Sequence, residues 1–144
     1  MIAETTDNWF IRGGDGTDAI AVRGGTNVID GGGGSSFLTG GFGQDTFFID
    51  MRDATADIWS TLASFNAGDA ATPWGITQAD FTLLWSDAQG AAGATGLTLH
   101  ATATGRPAAS LTLAGYTTAD LTSGALSIRF GSSGGSHYLH VHAN

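Results

Sequence analysis

Cysteine is absent from this 144-residue chain, so neither a disulfide nor a thiolate metal site can hold its fold. Lysine is absent too; the five cations are Arg12, Arg23, Arg52, Arg106 and Arg129. Against them stand thirteen acidic groups, all Asp except Glu4, for a net charge of −8. That balance excludes the basic face a nucleic-acid partner needs, and a phosphate-binding loop lacks its lysine. No apolar run is long enough for a membrane-spanning helix, so membrane insertion is not expected. The residues after Met1 lack the charged segment and apolar run of a cleavable signal peptide, and the abrupt start reads as a module of a larger protein.

What is present is a period. Four contiguous nine-residue blocks cover 13–21, 22–30, 31–39 and 40–48. Glycine holds the fourth place in each (Gly16, Gly25, Gly34, Gly43), and an apolar residue holds the eighth (Ile20, Ile29, Leu38, Phe47). The sixth place reads Asp18, Asn27, Ser36, Asp45. Such a repeat predicts short rungs of strand joined by tight glycine bends, with the eighth-place side chains piled into a narrow apolar column that Ile11 can begin. Glycine thins out near residue 50, which suggests two parts, 1–50 and 51–144, packed as one structural unit.

Beyond Asp57 the pattern is mostly period-two, the mark of strands with one buried face. Candidate strands are 58–65, 81–86, 97–103, 111–113, 126–130 and 138–142, separated by Gly-rich turns. The stretches 75–82 (GITQADFT) and 115–122 (GYTTADLT) match, and Thr77 and Thr118 are read as caps of single helical turns ahead of Asp80 and Asp120. The fold expected is all-β: a short parallel β-roll of nonapeptide repeats continuing into a β-rich C-terminal half, itself roll or sandwich.

The first and last blocks, GGDGTDAIA and GGFGQDTFF, fit G-G-x-G-x-D-x-U-x, and the chain resembles the RTX (repeats-in-toxin) family of secreted bacterial proteins. The segment DIWSTLASFNAGD at 57–69 is similar to the strand and acidic turn that follow such repeats. The resemblance implies a secreted, extracellular protein that folds with Ca2+ and commonly leaves the cell through a type I channel. It also implies calcium held between stacked bends by sixth-place side chains and loop carbonyls, here Asp18 over Ser36 and Asn27 over Asp45, with Gly16, Gly25, Gly34 and Gly43 in the bends. Each column keeps one carboxylate, and Val22-Arg23 replaces a Gly-Gly pair, so one or two weakly held ions are expected.

Catalytic patterns are missing: there is no G-x-S-x-G elbow, and the Asp residues crowd turns, where Asp is common in any case. His137, His140 and His142 lie close together, and on a strand His140 and His142 share a face that could hold Zn2+ or Ni2+; no nearby Cys or carboxylate completes such a set. The tryptophans suggest carbohydrate, because flat rings stack on sugar faces. Trp74, between Pro73 and Gly75, is read as an exposed loop ring, with Trp9 second, Tyr116 and Tyr138 lining a groove beside His100 or Arg106, and Trp59 and Trp85 in the core. The function expected is a non-catalytic, calcium-associated, polysaccharide-binding module. A structural module for calcium-triggered folding and export is the alternative, and a hydrolase fragment comes third.

Overall fold

The computed structural model describes residues 1–3 and 7–144; Glu4 lies outside the described residues. Strands β1 (Ile2–Ala3), β2 (Phe10–Arg12), β3 (Asp18–Val22), β4 (Gly24–Gly25), β5 (Val28–Asp30), β6 (Ser36–Thr39), β7 (Phe42–Gly43), β8 (Thr46–Asp50), β9 (Ile58–Ala63) and β10 (Ala70–Trp74) run first. Then come β11 (Thr82–Gln89), β12 (Gly96–Thr102), β13 (Ala109–Ala114), α1 (Thr118–Ser123), β14 (Leu126–Ser133) and β15 (Ser136–Ala143). The fold is nearly all-β. One sheet has the order β1-β3-β6-β9-β13-β12-β11 and the other β14-β15-β10-β8-β5-β2, with β4 and β7 forming a small third pair.

From β2 to β10 the main strands alternate between the two large sheets and pair in parallel, so the chain winds as a coil. The alternation is what the nine-residue period dictates. Each block supplies one bend and one strand, and the next strand must fall on the opposite sheet. Eighth-place side chains therefore face each other across the interior. Ile20, Leu38 and Leu62 stack in one sheet and continue through Leu113 to Leu97. Ile11, Ile29, Phe47 and Ala71 stack in the other and continue through Val141 to Ile128. Small Ala71 beside Phe47 leaves that ring space, and Phe65 packs on it at 6.0 Å between centroids.

The coil does not stop near residue 50. Phe47 aligns with Ala71, and Leu38 with Leu62, so two further rungs of the same frame occupy 55–63 and 64–72. Six inserted residues hide them. Asp30 to Ser36 is a step of six residues, whereas the equivalent step from Phe48 to Ser60 is twelve, and the surplus lies in the bend 51–57. Both large sheets run through this point without a break.

Two details differ from the sequence-based expectation. Trp74 is the last residue of β10 rather than a loop residue. Pro73 fits there because pairing with β15 lapses between Ala71 and Trp74, where an N–H would be required. The cap of α1 is Thr117, three residues before Asp120, whose Oδ2 accepts the Thr117 N–H at 2.8 Å; Thr118 instead bonds Asp87 through N–H and Oγ1.

Candidate functional site

The sixth-place side chains form a ladder. The Trp9 N–H donates to Asn27 Oδ1 (3.0 Å), the Asn27 N–H to Asp45 Oδ1 (3.1 Å), and the Asp45 N–H to Asp69 Oδ1 (2.8 Å). Asn27 Nδ2 also donates to Asp45 Oδ1 at 2.7 Å, and the Asn66 N–H to Asp69 Oδ2. Asp69 therefore takes the sixth place of the last rung, which is the role of the acidic turn at 65–69. Asp45 and Asp69 are fully buried, and burial is the main cause that lifts both carboxyls above the usual range. Asp45 Oδ2 has no hydrogen-bond partner among the described residues.

The opposite bend column reads Asp18, Ser36, Ser60. Asp18 Oδ2 accepts the Gly14 N–H, Ser36 Oγ donates to the Gly31 carbonyl, and Ser60 Oγ is buried without a partner among the described residues. Bends two blocks apart stack and nearly touch: a Cβ at Gly34 would lie 1.8 Å from the Gly16 carbonyl oxygen, and one at Gly43 1.9 Å from that of Gly25. Gly34 and Gly43 are required by the stacking itself, Gly25 is favoured by its φ of 101°, and a Cβ at Gly16 would meet nothing within 4 Å. Among the described residues no group of three His, Cys, Asp or Glu side chains is placed to hold a metal.

The expected aromatic residues occupy separate places. Trp74 and Tyr138 do meet, with ring centroids 4.8 Å apart. Both rings are already engaged: Tyr138 lies across Gly131, where a Cβ would come within 2.4 Å of the ring, and the Arg52 guanidinium sits 5.2 Å from the Trp74 centroid. Arg52 is held there by a two-point pair with Asp50, which draws that carboxyl below its usual range. Tyr116 packs edge-on to Phe65, and burial raises its phenol. Trp9 is 41% exposed at the start of the coil. His137 faces a different cleft from His140 and His142.

Of the two tryptophans that the strand reading places in the core, Trp85 packs against it and Trp59 is left bare. Trp59 is 43% exposed on the outer face of β9, because Ile58, Ser60 and Leu62 point inward and alternation sends Trp59 out. Its row across the seven-stranded sheet runs Trp59, Ser110, His100, Leu84, the last also exposed. The neighbouring row runs Thr61, Thr112, Thr98, Ser86. After Ser86 the β11 register shifts, Ala88 adopts φ 57°, and Gly90 folds down onto Thr112, so this chain end walls one side of a trough of about 400 Å³.

The trough floor carries hydroxyls and imidazole. Thr98 Oγ1 and Thr112 Oγ1 are 2.8 Å apart, and His100 Nδ1 is 3.1 Å from Ser110 Oγ. With Nδ1 so occupied, Nε2 is the imidazole nitrogen left for a ligand. Gln89 adds an amide at the rim, and among the described residues the lining holds no carboxylate and no guanidinium. In a chain of net charge −8 that neutrality is informative. The surface suits an uncharged molecule with a flat apolar face and several hydroxyls. Comparison with protein-family models, curated proteins and solved structures found no match.

Proposed function

We propose that this chain is a non-catalytic polysaccharide-binding module and that the trough on the seven-stranded sheet is its binding face. The observation that carries the reading is the bare Trp59 ring on a rigid strand, beside a neutral row of hydroxyl, amide and imidazole groups. Trp59 stacks on the apolar face of a sugar ring, while His100, Ser110 and Gln89 exchange hydrogen bonds with its hydroxyls. The open, uncharged trough favours a neutral glycan. Trp74 and Tyr138 brace the other sheet.

The reading includes RTX-type kinship, secretion and calcium. Asp45 Oδ2 is the buried oxygen that an ion would satisfy, with bend carbonyls completing the set of oxygen donors, and Asp18 supplies the carboxylate of the opposite column. A second reading, calcium-triggered folding for export, is favoured by the buried Asp45–Asp69 ladder alone.

Retention on insoluble neutral glycans tests the binding role. The wild type and Trp74→Ala should be retained, and Trp59→Ala should elute with the unbound fraction. Failure of the wild type to bind any glycan would refute the proposal.

A further inference from the structure

The outer face of the six-stranded sheet holds a second cluster, remote in chemistry from the trough. Arg129 on β14 is the cross-strand partner of His140 on β15, and Ser127 is the partner of His142. Alternation puts all four on the face opposite Leu139 and Val141, which are buried. With Asn144 they line a cavity of about 310 Å³.

The cluster is built, not merely adjacent. His140 Nδ1 is 2.9 Å from Thr72 Oγ1 on β10, and His142 Nδ1 is 3.0 Å from Asn144 Oδ1. Asn144 is itself fixed through Nδ2 to Ser127 Oγ and the Gly124 carbonyl. Both imidazoles are therefore held by Nδ1, which leaves Nε2 as the free nitrogen of each. Asn144 Oδ1 only accepts, so His142 Nδ1 is the donor, and its Nε2 becomes a second donor when the ring takes up a proton.

Two ligands for the cavity are conceivable, a metal cation or an anion, and the charges decide between them. Arg129 is permanently cationic and sits directly across from His140, which repels a metal ion. Among the described residues no carboxylate lines the cavity. Asp69 lies within electrostatic reach of His142, but it is buried in the ladder with both oxygens engaged by the Asp45 and Asn66 N–H groups. Packed against His140 from the neighbouring elements are Thr72, Arg129 and His142, none of them negative.

We propose that Arg129, His140 and His142 form a binding site for a phosphate or sulfate group, with the guanidinium and the two Nε2 atoms as donors. Cross-strand neighbours about 5 Å apart offer several donors to one multi-oxygen anion, which a planar carboxylate with two oxygens uses less fully. Binding recruits protons to the imidazoles. His140 resists protonation in the free protein, because of burial first and then its cationic neighbours, so the anion should raise its titration point and bind more tightly as pH falls. The site is independent of the glycan reading: either can fail without the other.

The test is an NMR titration of the four histidine imidazole signals with inorganic phosphate near pH 6. Saturable shifts confined to His140 and His142, with affinity reduced about tenfold or more in Arg129→Gln, support the site. Arg129 is exposed on an outer face, so the variant should fold, and an unchanged melting temperature checks this. Competition by a sulfated dextran, with plain dextran inert, assigns a group carried on a chain, whereas phosphate binding that the polymer does not disturb assigns the free ion. No saturable shift overturns the site. Acetate binding as tightly as phosphate overturns the class of anion. Zn2+ that moves the same signals, and does so at lower concentration in Arg129→Gln, overturns the anion in favour of a metal.

Discussion

The outer faces of the two large sheets use the same aromatic residue in opposite ways. On the six-stranded sheet Trp74 is met by Tyr138 and by the Arg52 guanidinium, itself pinned by Asp50. On the seven-stranded sheet Trp59 faces a trough in which, among the described residues, no phenyl, phenol or indole ring and no guanidinium lies against it. A ring that its own chain has already covered contributes packing and cation–π energy to the fold. A ring left bare contributes little to the fold and is available to a partner. Exposure follows from strand alternation, while availability depends on what the neighbouring strands place beside the ring.

The sharpest way to break that contrast is to remove each ring in turn. Trp74→Ala should cost about 2–3 kcal/mol of unfolding free energy, less than truncating a fully buried large aromatic, because the ring is only half-buried. Chemical denaturation checks this, and glycan retention should persist in the folded fraction. Trp59→Ala should leave the denaturation midpoint nearly unchanged and weaken glycan binding about tenfold or more, equivalent to about 1.4 kcal/mol. Equal stability losses from the two variants would erase the distinction.

A smaller effect sharpens the picture of the trough floor. Thr98→Val removes one member of the Thr98–Thr112 hydroxyl pair and leaves Thr112 buried without it, which should cost about 1 kcal/mol in a melting experiment. Binding in an uncharged trough should also be insensitive to salt, and isothermal titration at two ionic strengths would show it.

Acid separates the faces further. His140 has its folded titration point below the ordinary histidine value, so the unfolded chain takes up the proton first. Its contribution to stability is present at neutral pH and is lost as pH falls through the ordinary value of about 6.5. The wild type should therefore lose more stability than His140→Gln on going from neutral pH into that range. The ladder responds in the other sense. Asp45 and Asp69 are raised in the folded state, so the native protein holds their protons more tightly and gains stability as pH falls through their folded values toward the ordinary carboxylate range. Calcium needs the ionised form, so any rise in melting temperature on adding calcium should shrink with acid and be smaller in Asp45→Asn.

Much of the coil is legible in the sequence, because glycine at the fourth place and an apolar residue at the eighth leave the chain few other ways to fold. The rungs at 55–63 and 64–72 are hidden by the insertion at 51–57, and by Ala71 standing where the other blocks carry Ile, Leu or Phe. The same lost frame conceals Trp59. Period-two alternation says that a strand has two faces but not which one is buried, and a tryptophan in a strand is usually inside. Counting back from Leu62 as an eighth-place residue puts Ser60 and Ile58 inward and Trp59 outward. His100 and Thr98 are legible as one polar face, yet their closeness to Trp59 depends on β13 pairing in parallel with β9, which no local pattern encodes.

The most direct test of the account follows the four tryptophan indole N–H signals by NMR while a soluble neutral oligosaccharide is added. The account predicts that the Trp59 signal shifts saturably and that the Trp74 signal stays in place. Movement of Trp74 or Trp9 with Trp59 unmoved would contradict it.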